Sequence, residues 1–98
     1  MTSSIDRSEV EKALANVMDP EIGISIMEMN LVEQIDIDDG NISVYFRLTA
    51  PFCPPVFAMK IAKDIKETLR RLEGVKSVKV VLRNHYMAEQ INKIINEL

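Results

Sequence analysis

A chain of 98 residues has room for one domain and one core, and its 47% hydrophobic and 28% charged side chains suit a folded rather than a disordered chain. Twelve basic against fifteen acidic residues leave a net charge of −3, which disfavours non-specific nucleic-acid binding. No apolar run reaches the roughly 20 residues that span a bilayer, and Met1–Arg7 lacks the apolar centre of a signal peptide.

The chain reads as a single unit over 1–98, with Met1–Ile5 as a loose end. Asp6 is placed to cap a first helix, with Glu9 completing a capping box. Val10, Ala13, Leu14, Val17 and Met18 make its apolar stripe, and Pro20 is expected to stop it. Asp19-Pro20-Glu21 is then a loop, followed by an apolar but irregular stretch over Ile22–Asn30. Leu31–Asp38 and Ile42–Thr49 alternate as strands, joined through Asp38-Asp39-Gly40-Asn41 as a tight turn. A long helix follows the loop Ala50–Pro55 and runs to about Leu72, where Gly74 supplies the stop. Val75–Arg83 is a third strand, and Met87, Ile91, Ile94, Ile95 and Leu98 mark a closing amphipathic helix.

The order α-β-β-α-β-α predicts an α/β (α+β) fold: a three-stranded mixed sheet with helices mainly on one face. The second and third strands, joined through a helix, are expected to run parallel if they are neighbours. Exposed sheet edges favour a homo-oligomer, most simply a homodimer.

The single cysteine is the chemical focus. Cys53 cannot form an internal disulfide, and a free thiol suits a reducing cytoplasm. With Pro54 at the first helical position, Cys53 is the expected N-cap, where the first-turn N–H groups favour a thiolate. Such a thiol is a nucleophile or a metal ligand; the alternative is a small buried hydrophobe. His85 is the only histidine: either a candidate nitrogen ligand, or a solvated or capping group. Thr49 ends a strand and either donates to Cys53 or closes the loop. Met27, Met29, Met59 and Met87 read as gap-fillers, and Tyr86 as packing on the core edge. Lys60, Lys63, Lys66, Arg70 and Arg71 lie mostly off the apolar stripe of the second helix, as a solvated face or a docking face for an acidic partner. Glycine-rich phosphate loops, Cys-x-x-Cys pairs and signs of a Cys–His hydrolase are all lacking.

Asp19-Pro20-Glu21, Leu31-Val32, Asp39-Gly40, Thr49 and Cys53-Pro54, in this order, resemble the PaaD/SufT family of iron–sulfur assembly domains. The resemblance spans almost the whole chain. The departures are Asn30 where the family usually has glycine, Phe52 before the cysteine, and Asn84-His85-Tyr86 in place of Pro-x-Trp. The resemblance implies an accessory factor in cluster assembly or transfer, without enzymatic turnover. In it Cys53 is a ligand of a transient iron–sulfur cluster, one that two chains would share. It also implies Asp19 and Glu21 as supporting groups, with a P-loop ATPase scaffold or recipient apoproteins as partners. The alternatives are a metal-free adaptor for maturing a multisubunit enzyme, and a mononuclear metal site built from Cys53, Asp19, Glu21 and His85.

Overall fold

The computed structural model describes residues 5–20, 22–48 and 54–97. Its elements are α1 (Arg7–Leu14), β1 (Val32–Asp38), β2 (Asn41–Arg47), α2 (Pro55–Arg70), β3 (Ser77–Arg83) and α3 (Ala88–Asn96), the order expected from sequence.

The sheet runs β1-β2-β3, with β1 antiparallel and β3 parallel to β2. Asp39 (φ 50°) and Gly40 (φ 86°) both take left-handed geometry between the paired Asp38 and Asn41, the turn whose twist matches a hairpin. Gly40 is required there for a second reason. A Cβ on it would stand 2.7 Å from the Gly74 carbonyl oxygen, because the Gly40 carbonyl accepts the Lys76 N–H at 2.7 Å.

Alternation divides the sheet into two faces. Ile35, Ile42, Val44, Phe46, Val78, Val80 and Leu82 are buried and meet the helices, forming one core with Leu14, Ile61, Ile65, Leu69, Ile91 and Ile95. Met27, Met29, Met59 and Met87 pack against it as gap-fillers. The opposite face is open and polar. A bulge between Val32 and Gln34 lets Glu33 reach both Arg47 (3.3 Å) and Arg83 (3.4 Å), and Arg83 lies 4.4 Å over the Tyr45 ring.

The outer edge of β3 is covered from within the chain. Asn92 bonds both the N–H and the C=O of Leu82, and Asn96, one turn later on α3, does the same for Val80. On β1 the Arg7 guanidinium donates to the Ile35 carbonyl at 3.0 Å. These contacts occupy backbone groups that an added strand would need.

Several local expectations need correction. The first helix ends at Leu14, not at Pro20: the Ile26 N–H bonds the Val17 carbonyl and Met18 bridges Ser25, which draws this segment into a hairpin. Val17 stays buried while Met18 turns outward. Asp6 does cap α1, but through the amide and hydroxyl of Ser8; the reciprocal Glu9 contact is not formed. The second helix stops at Arg70, two residues short of Leu72, with Gly74 (φ 92°) in the turn that follows. Lys66 is not on a solvated face. It is 5% exposed, and its ammonium donates to the Ile95 carbonyl at 2.7 Å, tying α2 to the C-terminal turn of α3. Ile94 faces solvent, so Ile91 and Ile95 carry the α3 contact.

Candidate functional site

Because β2 and β3 are parallel, their carboxyl ends lie at the same pole of the sheet. Leu48 leaves β2 there and leads through residues 49–53 to Pro54 and α2, while Arg83 leaves β3 and leads to His85. The antiparallel β1 begins at that pole, and the Leu31 carbonyl before it accepts the Arg47 N–H at 2.9 Å. The start of β1, the end of β2 at Leu48 and the β3–α3 connection therefore lie at one pole of the sheet. In open α/β sheets, the carboxyl ends of parallel strands are the usual place for a ligand.

The segment before β1 is built by local hydrogen bonds. The Asp19 N–H donates to the Ile24 carbonyl (2.9 Å) and the Asp19 carbonyl accepts the Gly23 N–H (2.7 Å), closing the loop around Pro20. Asp19 itself is 6% exposed and partnered. Ser25, a buried hydroxyl that the sequence reading overlooked, accepts the Met27 N–H at 3.1 Å and starts the next turn. That turn ends with the Leu31 N–H on the Ile26 carbonyl and the Asn30 N–H on the Met27 carbonyl, and Asn30 has φ 60°. This is the Schellman arrangement, whose left-handed residue is usually glycine and sometimes asparagine. Asn30 therefore takes the backbone position that a glycine most often fills in this turn.

The head of α2 is electropositive by construction. Its N-cap is Pro54, its first residue is Pro55, no side chain caps it, and its first turn carries no acidic residue. The partial positive charge of that end is left for an anion. Cys53 thus immediately precedes the N-cap, rather than being the N-cap. Cys53, Thr49 and Glu21 lie outside the described residues.

His85 is buried, and its Nδ1 accepts the Met87 N–H at 3.0 Å, which fixes the entry into α3. With Nδ1 so occupied, only Nε2 could ligate a metal. His85 is partnered besides. Tyr86 does not pack into the core edge: it is 62% exposed and stacks on the His85 ring at 4.8 Å. Among the described residues no three His, Cys, Asp or Glu side chains are grouped to hold a metal.

Comparison with known proteins places this architecture. The chain belongs to the iron-sulfur cluster assembly protein family, whose pattern matches residues 7–81. It is 39% identical over 94 residues to an uncharacterized protein of Methanocaldococcus jannaschii, covering 95% of this chain and 97% of that one. It is 35% identical over 75 residues to the Fe-S protein maturation auxiliary factor of Porphyromonas gingivalis, covering 76% and 70% of the two chains. A conserved hypothetical protein of Thermotoga maritima has the same fold, with a TM-score of 0.68 and 31% identity over 92% of this chain and 89% of that one. The chain is accordingly an accessory protein of iron–sulfur cluster assembly or transfer. No helix among the described residues is long and apolar enough to cross a membrane.

Proposed function

We propose that the chain is a transient carrier that holds an iron–sulfur cluster as cargo through Cys53 and releases it to recipient apoproteins, without turnover of its own. What supports this reading is that the start of β1, the carboxyl ends of β2 and β3 and the His85 connection share one pole of the sheet, and that Cys53 immediately precedes in sequence the uncapped head of α2. A thiolate is the ligand that iron–sulfur clusters use, and a neighbouring helix N-terminus favours the thiolate over the thiol.

One cysteine supplies one of the four ligands that a cluster ordinarily has. Two chains would supply two, and external thiols or the recipient's own cysteines the rest. Such partial ligation leaves open positions, so that recipient thiolates can displace the carrier. In this scheme Asp19, Glu21 and Thr49 shape the loop pair around Cys53, and Nε2 of His85 is the candidate additional ligand. A reducing cytoplasm keeps the thiol available. Recipient apoproteins, or a P-loop ATPase scaffold, are the partners this scheme requires.

The test is anaerobic reconstitution with iron and sulfide, read by visible absorption for wild type and Cys53→Ala. A thiolate-to-iron charge-transfer band is expected in wild type and not in the variant. Equal bands in both proteins would remove Cys53 as ligand. No band in either would leave the metal-free adaptor as the better account.

A further inference from the structure

Charge is divided across the open face of the sheet. Seven carboxylates and no lysine or arginine stand between Lys12 and Arg47, and β1 lies within that stretch. At the other side of the sheet, β3 carries Lys79 and Arg83 and no carboxylate.

The strand register sets these charges in rows. Asp36 on β1 is level with Ser43 on β2, and Ser43 is level with Lys79 on β3. Alternation puts all three on the open face, with Asp36 and Lys79 exposed. With β2 between them, the two charges stand about 10 Å apart at the backbone, too far to pair in one chain. Lys79 enters none of the ion pairs among the described residues. Asp36 accepts the neutral amide of Gln34 at 2.9 and 3.2 Å, a contact that does not cancel its charge. One row further, Glu33 already holds Arg47 and Arg83, so that end of the face is satisfied within the chain.

A row that reads acid, hydroxyl, base is self-complementary. A two-fold axis parallel to β2 lays β1 of a second copy on β3 of the first, and β3 on β1. Asp36 then meets Lys79 of the partner subunit, Lys79 meets the partner subunit's Asp36, and the small Ser43 at the centre lets the faces approach. A two-fold axis across the strands instead stacks β1 on β1 and β3 on β3, like charge on like. The face spans roughly 300 Å2, well short of the about 800 Å2 that each partner gives to a stable interface. Exposed ion pairs are also individually weak.

From this complementarity we infer that the open sheet face is a weak self-association surface, on which a second copy of this chain binds with its strands parallel, through reciprocal Asp36–Lys79 pairs. The strand edges take no part. Because the axis follows the strands, the carboxyl ends of β2 and β3 lie at the same end in both copies. That arrangement suits a cluster shared by two chains, a consequence that rests on the proposed function; the pairing itself needs no cluster.

The experiment therefore uses the intact chain before any cluster is loaded. NMR spectra are compared over a concentration series reaching the millimolar range at fixed ionic strength, following the Ser43 and Lys79 amides. Concentration-dependent shifts confined to the open face are expected. Asp36→Lys and Lys79→Glu, each at an exposed position, should each weaken self-association at least about 10-fold, since both pairs become like-charged. An equimolar mixture of the two variants should associate again, because each then meets its opposite. The double variant Asp36→Lys with Lys79→Glu, which keeps the net charge of wild type, should also recover. The inference is overturned if wild type shows no concentration-dependent shift on this face, or if the two folded single variants fail to associate when mixed. Failure of cluster reconstitution leaves either result unchanged.

Discussion

A single asparagine shows how a side chain can stand where the backbone asks for glycine geometry. Asn30 holds a left-handed backbone at φ 60°, a conformation that costs most side chains about 1–2 kcal/mol. Asparagine is among the few residues that visit it routinely. Asn30→Gly is therefore expected to keep stability within about 1 kcal/mol of wild type. Asn30→Val should lose about 1–2 kcal/mol, read as a lower urea midpoint at unchanged slope. An unshifted midpoint for the valine variant would contradict the left-handed role. The family resemblance marked Asn30 as a departure from glycine but not why asparagine is acceptable: the reason lies in two hydrogen bonds that only the folded turn displays. Asp6 and Gly40 were legible because capping and hairpin turns are decided within four residues. Tyr86 was not, since its stacking on His85 depends on how the β3–α3 connection folds.

At the scale of elements, all six were legible from periodicity, and the errors sit where two elements compete. Val17 and Met18 continue the helical spacing of α1, yet their backbone pairs with residues 25–26, a contact invisible to a local reading. Lys66 is the other case. A lysine beside the apolar stripe of α2 reads as solvated until α3 is laid over it. Its ammonium then bonds the Ile95 carbonyl and loses water. The linkage follows from the direction of its shift: desolvation, and secondarily Arg70, place the folded value below the 10.5 of a free lysine. Between those two values the unfolded chain binds more protons than the folded one, so stability rises with pH across that window. Below it the folded state bears the full cost of the buried charge; above 10.5 the cost is gone. Denaturation at a series of alkaline pH values should thus show a more positive slope for wild type than for Lys66→Met. Equal slopes would mean that Lys66 titrates as it does in the unfolded chain.

At the scale of the whole molecule, the three-stranded sheet limits how two copies can meet. Asn92 and Asn96 occupy backbone groups on the outer edge of β3, and Arg7 occupies the Ile35 carbonyl on β1. Edge-to-edge addition of a second sheet, the route to a dimer that exposed strands suggest, is thereby obstructed. The cluster requirement points elsewhere. If each chain offers one thiolate, two chains must bring their cluster poles together, and exposed side chains near Cys53 should then become interfacial. Val56, in the first turn of α2 three residues after Cys53, is a large apolar side chain that is 68% exposed. Anaerobic reconstitution is therefore expected to convert the 11.1 kDa chain to a species of twice that mass, with one cluster per pair. Val56→Glu, which places charge at that contact without disturbing a buried position, should reduce the loaded dimer. Ile37→Lys on β1 should leave its mass unchanged. Light scattering coupled to size exclusion decides the matter. A loaded form at the monomer mass would mean that one chain completes the site with external thiols, and a dimer lost in the β1 variant would restore the sheet edge as the interface.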